Sequence, residues 1–112
     1  MRKIILFGDS ITAGYEKGEI DTRLNELIMP FFPEYDVVNA GIPGDTTKDA
    51  LKRVKAHVCQ YNPEYVTVFF GANDVSKTRY VSEYAFEKNL ETIIQQIGIE
   101  KVILIGDRKS VV

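Results

Sequence analysis

The chain has 112 residues, 45% of them hydrophobic and 27% charged, with a formal net charge of −2. This length allows one domain around one core. The charge balance, with no basic stripe or block of like charge, gives no basis for nucleic acid or an anionic membrane surface as a partner.

Met1-Arg2-Lys3 leads into only four apolar residues before Gly8. A signal peptide needs a longer apolar core, and a membrane helix needs roughly 20 apolar residues. No membrane insertion is expected, and the expected compartment is the cytoplasm. Cys59 is the only cysteine. No intrachain disulfide can form, and it reads as a small helix residue.

Lys3 to Phe7 is the first predicted strand. Its unbroken apolar run implies burial on both faces, as in a parallel sheet. Gly8-Asp9-Ser10 turns out of it into a short helical turn, which leaves the Ser10 hydroxyl in the open and its backbone N–H in a field that favours negative charge. A glycine-containing loop follows, and Asp21 is expected to cap a helix through about Phe31. Leu24, Leu27, Ile28 and Phe31 form its apolar stripe, which Pro30 and Pro33 end.

Asp36 to Asn39 is the second predicted strand, leading into the breaker-rich loop Ala40 to Asp45. Thr46 or Thr47 caps the next helix, with Asp49 as the capping-box acceptor. Its apolar face is Ala50, Leu51, Val54 and Val58, and Asn62-Pro63 stops it. Tyr65 to Phe70 is the third strand, followed by Gly71-Ala72-Asn73-Asp74. Ser82 caps a further helix, with Val81 and Phe86 at hydrophobic-staple positions. Phe86, Leu90, Ile93, Ile94 and Ile97 are its stripe, and Gly98 ends it. Lys101 to Ile105 is the fourth strand.

Strands alternate with helices throughout. The prediction is an α/β fold: a three-layer parallel sheet with flanking helices and right-handed crossovers. Ligands in such sheets bind beyond the carboxyl ends of the strands. The loops holding Ser10, Gly44 and Asn73 each follow a strand, so they converge on one rim.

Phosphate-loop chemistry is excluded by spacing. Five residues separate Gly8 from Gly14 and Tyr15-Glu16 follows, so no Walker loop exists, and no G-x-G-x-x-G is present. The G-x-S-x-G elbow fails at Thr12. Taken singly, Ser10 reads as a helix cap, Gly44 as a turn glycine and Asn73-Asp74 as a turn.

Together the three loops resemble the SGNH/GDSL hydrolase family of lipases and esterases. The blocks are Gly8-Asp9-Ser10-Ile11-Thr12-Ala13-Gly14, then Asn39 to Thr47 (Asn-Ala-Gly-Ile-Pro-Gly-Asp-Thr-Thr), then Gly71-Ala72-Asn73-Asp74. The resemblance covers Ile4 to about Ile105 and brings the flavodoxin-like strand order 2-1-3-4. It implies hydrolysis of a small-molecule carboxylic ester or thioester through an acyl-enzyme on Ser10. The oxyanion donors it implies are the backbone N–H groups of Ser10 and Gly44 and the side-chain amide of Asn73. Asp9 and Asp74 would hold loops. No metal or organic cofactor is implied.

The family's Asp-x-x-His block has no counterpart, because His57 is the only histidine and Val54 stands three residues before it. The chain is therefore expected to be inactive as it stands, a domain over 1–105 truncated before its fifth strand. Residues 106–112 are expected to be a non-family tail, since Asp-Arg-Lys-Ser-Val-Val resembles a translated sequencing adapter. The fourth strand would then be an exposed edge through which copies self-associate. The rival readings are a non-catalytic flavodoxin-like module that binds a small ligand, and a short interaction protein.

Overall fold

A strand buried on both faces must sit inside a sheet, and the first strand does. In the computed structural model of the protein, residues 2–14 and 23–105 are described. Ile4, Ile5, Leu6 and Phe7 of β1 (Arg2–Gly8) are at most 5% exposed. β1 lies between β2 (Tyr35–Gly41) and β3 (Tyr65–Phe69), and β4 (Val102–Ile105) pairs with β3. Every pairing is parallel, as the alternation of elements predicts, and the order is β2-β1-β3-β4. Each strand runs within about two residues of its expected bounds, the usual latitude at element ends.

The helices are α1 (Ser10–Ala13), α2 (Arg23–Ile28), α3 (Thr47–His57) and α4 (Glu83–Ile97). α3 and α4 cover one face of the sheet. There Ile5, Phe7, Val66 and Val68 pack with Ala50 and Val54 of α3 and with Phe86, Leu90 and Ile93 of α4. Each such side chain taken from water contributes about 1.5–3 kcal/mol. The opposite face has a smaller core of Ile4, Leu6 and Val37, against which Ile28 packs.

Local capping sets where the helices start. Thr46 is the N-cap of α3, and its capping box is closed by Asp49. Ser82 caps α4 by accepting from the Ala85 amide at 3.2 Å. Val81 and Phe86 are both buried beside it, as the staple predicts.

The stripe predicted for the second helix does not hold. Leu27 is 63% exposed and Phe31 is 80% exposed, and only Ile28 packs inward. The α-helix lasts six residues before Met29–Phe31 tightens into a 3₁₀ turn with Pro30 in it. That change of period swings Phe31 away from the phase of an α-helical stripe. The Asp21 cap, the glycine-containing loop before it, the Leu24 side chain and the 106–112 tail lie outside the described residues.

At the strand-start end of the sheet, Tyr35 donates to Glu64, and Arg2 donates to Tyr35 and pairs with Glu64. The bond to Glu64 raises the Tyr35 phenol above its usual value. The chemistry-bearing loops lie at the other end.

Candidate active site

β1 ends at Gly8 and the chain turns sharply into α1. Asp9, not Ser10, is the N-cap: its Oδ1 accepts from the Ile11 amide at 3.0 Å. Ser10 is thus the first helical residue, half-buried, and among the described residues its N–H and hydroxyl have no partner. The turn requires glycine at position 8. A Cβ there would lie 2.1 Å from Thr12 Oγ1 and 2.8 Å from the Phe69 carbonyl oxygen, which is backbone of β3 and cannot yield cheaply.

The loop after β2 is tied to the loop after β1. The Ile42 amide donates to the Gly8 carbonyl at 3.0 Å, and the Asp45 amide to the Ile42 carbonyl at 3.2 Å. Gly44 sits between them with φ +85, a region costly to any residue with a Cβ. Its N–H has no partner among the described residues. Replacing Gly44 with Ala is expected to cost about 1–2 kcal/mol through that conformation. A urea midpoint unchanged from the parent would contradict this.

The loop after β3 is tied in turn to the loop after β2. Asn73 Nδ2 donates to the Asp45 carbonyl at 3.1 Å. A primary amide has two N–H donors, so one anchors the side chain and the second is left for a ligand. Asp74 is fully buried and works structurally. Its carboxylate accepts from the Thr47 amide at 3.1 and 3.2 Å and from the Thr47 hydroxyl at 2.6 Å. A carboxylate at the first turn of α3 also meets the positive end of the helix dipole. Asp9 and Asp74 thus bond to the starts of α1 and α3.

Two residues that the sequence reading passed over hold this rim together. Arg53 of α3 is 9% exposed. Its guanidinium donates to Asp45 Oδ2 at 2.6 Å, to the Ala40 carbonyl at 2.9 Å and to the Gly8 carbonyl at 3.1 Å, and it lies over the Phe7 ring. One side chain thus joins the ends of β1 and β2 to the Gly44 loop. Its signal was a lone arginine beside Val54 in the stripe of Ala50, Val54 and Val58. Asn39 is the other. Its amide donates to the Thr12 carbonyl at 2.7 Å and to Asn25 Oδ1 at 2.9 Å, fastening α1 to β2 and α2.

His57 meets the rim only through Arg53 and has no hydrogen bond to Ser10. It is the last residue of α3, exposed, with Nδ1 3.3 Å from Arg53 Nη1. α3 starts beside the Ser10 and Asn73 loops and runs away from them.

Known proteins share this fold. The profile of the GDSL-like lipase/acylhydrolase family matches residues 6–108. A lipase/acylhydrolase from Enterococcus faecalis superposes with a TM-score of 0.86 at 49% identity, over 93% of this chain and 56% of that one. The thioesterase 1/protease 1/lysophospholipase L1 of Escherichia coli (strain K12) is 32% identical over 94 residues, which is 84% of this chain and 44% of that protein. The uncharacterized lipoprotein YqeF of Bacillus subtilis (strain 168) is 33% identical over 116 residues, 90% of this chain and 46% of that protein. The chain spans about half the length of these curated relatives. With its parallel 2-1-3-4 sheet and its three interlocked strand-end loops, the chain belongs to the GDSL-like lipase/acylhydrolase family.

Proposed function

We propose that Ser10 is the nucleophile of a serine hydrolase that cleaves carboxylic esters or thioesters through an acyl-enzyme. The Ser10 hydroxyl oxygen attacks the carbonyl carbon, the carbonyl oxygen becomes an oxyanion, and the alcohol or thiol leaves. Water then releases the acid. The N–H groups of Ser10 and Gly44 and the free N–H of the Asn73 amide receive the oxyanion. Donors fixed before reaction act without reorganising, and losing one such donor typically costs about 2.7–4 kcal/mol of barrier.

The supporting observation is the interlocking of the three loops: Ile42 bonds to Gly8, and Asn73 bonds to Asp45. These bonds tie together the loops that carry the three proposed donors, which supports the reading. The test is labelling of a full-length relative with a serine-reactive phosphonate. Modification of the serine that aligns with Ser10 is the expected result. A relative left unlabelled there would overturn the reading in favour of a non-catalytic flavodoxin-like binding module. The thioesterase and lysophospholipase names of the Escherichia coli relative keep acyl thioesters and lysophospholipids among the substrates to try.

Self-association belongs to the same proposal. Ile103, Leu104 and Ile105 of β4 are 51%, 45% and 40% exposed, and among the described residues β4 pairs only with β3. An apolar edge of this kind invites pairing with another chain. Size-exclusion chromatography is expected to show oligomers that Ile103→Lys reduces, and a heat-stable monomer in the parent would contradict this.

Among the described residues no helix is long and apolar enough to cross a membrane. The proposed cytoplasmic location is checked by cell fractionation, since one relative is a lipoprotein.

A further inference from the structure

Beside the Gly44 loop lies a second, unassigned feature, an open groove of about 370 Å³ lined by Thr46, Lys48, Asp49, Thr78 and Arg79 among others. The Arg79 guanidinium lies against Gly44. A Cβ built on Gly44 would meet Arg79 Cζ and Nη2, each at 3.5 Å. A guanidinium with five donors thus lies over the Gly44 backbone, the proposed source of one oxyanion N–H.

Those donors are unspent. Among the described residues neither Arg79 nor Lys48 has an ion-pair partner. The one carboxylate lining the groove, Asp49, is turned to the α3 cap, where its Oδ2 accepts from the Thr46 amide at 3.0 Å and the Thr46 hydroxyl at 3.1 Å. Two further acids of this rim are also engaged, Asp45 by Arg53 and Asp74 by Thr47. Two cationic groups against one carboxylate, among the described residues lining the groove, favour an oxyanion ligand, and a guanidinium is suited to bidentate recognition of phosphate or carboxylate.

We infer that Arg79 and Lys48 form an anion subsite beside Gly44, so that the ester taken at Ser10 carries a phosphate or carboxylate near its scissile carbonyl. The inference rests on the proposed hydrolase reading for its substrate assignment. Its test needs no turnover, so it fails or succeeds separately from the labelling of Ser10. Arg79 acts here in binding, and nothing in the acyl transfer passes through it.

The experiment is an NMR titration of the full 112-residue chain, ¹⁵N-labelled, with three probes: 1-butyryl-glycerol 3-phosphate, neutral 1-butyryl-glycerol and inorganic phosphate. The phosphorylated ester is expected to shift the Gly44 amide and Arg79 Nε–H signals saturably, about tenfold more tightly than either of the other two probes. Arg79→Gln and Lys48→Gln should each weaken it roughly tenfold, and added salt should weaken it further. Both side chains lie at the surface or line the open groove, so these variants are expected to fold as the parent does. Equal affinity for the neutral ester overturns the inference, as does binding that survives both substitutions or the absence of saturable shifts. Inorganic phosphate binding as tightly as the phosphorylated ester shows a free-anion site and overturns the substrate assignment.

Discussion

Hydrolysis of p-nitrophenyl acetate by the 112-residue chain is expected to stay at a trace rate that neither Ser10→Ala nor His57→Ala changes. A serine hydroxyl is a weak nucleophile at neutral pH, and a positioned base must take its proton as it attacks. His57 is the only imidazole in the chain. A base must come within about 3 Å of the proton it removes. His57 closes an α3 helix that starts at the rim with Thr47, and a helix rises ~1.5 Å per residue, which places the His57 backbone on the order of 15 Å from Thr47. Its Nδ1 faces the Arg53 guanidinium instead. Loss of the histidine in a serine protease lowers turnover by about 2 × 10⁶, the remainder coming from the oxyanion hole and binding. A loss of that size is expected here against a family member with its Asp-x-x-His block. A robust rate that falls with either substitution would show that His57 is a working base.

Arg53→Met is expected to destabilise the fold by about 3–5 kcal/mol, because breaking a buried ion pair leaves the other charge uncompensated. The pair is well shielded, with the Arg53 and Asp45 side chains only 10% and 12% exposed. The substitution also strips the Gly8 and Ala40 carbonyls of their guanidinium donor. Against a typical total stability of about 5–15 kcal/mol, such a loss leaves little margin. Urea denaturation of the parent, Arg53→Met, Asp45→Leu and the double variant measures it. The double variant should recover part of the loss, since it buries no unpaired charge. A single-variant cost below about 1 kcal/mol would place Arg53 among exposed pairs of little worth.

The strands and the two long helices were legible because their signals are local. β1 reads from four consecutive apolar residues, and α3 and α4 from Thr46 and Ser82 caps followed by apolar residues in helical period. Alternation of elements makes the sheet parallel with right-handed crossovers, while the order 2-1-3-4 comes with the resemblance to the family. The α2 stripe misled for a physical reason. Periodicity shows which residues share a face, whereas burial needs a surface opposite and a constant helical phase, which Met29–Phe31 does not keep.

Sequence alone determined the parallel sheet and which three loops meet at its rim, since alternation of strands with helices dictates these, and its motifs brought the strand order through the family they resemble. Tertiary structure alone decided what holds those loops and what lies over them. Arg53 reaches Gly8 across 45 positions, and Asn73 reaches Asp45 across 28. Arg79 lies against Gly44, though far from it in the chain. Such contacts leave no periodic trace, because each is a single side chain meeting a backbone brought near only when the sheet has formed.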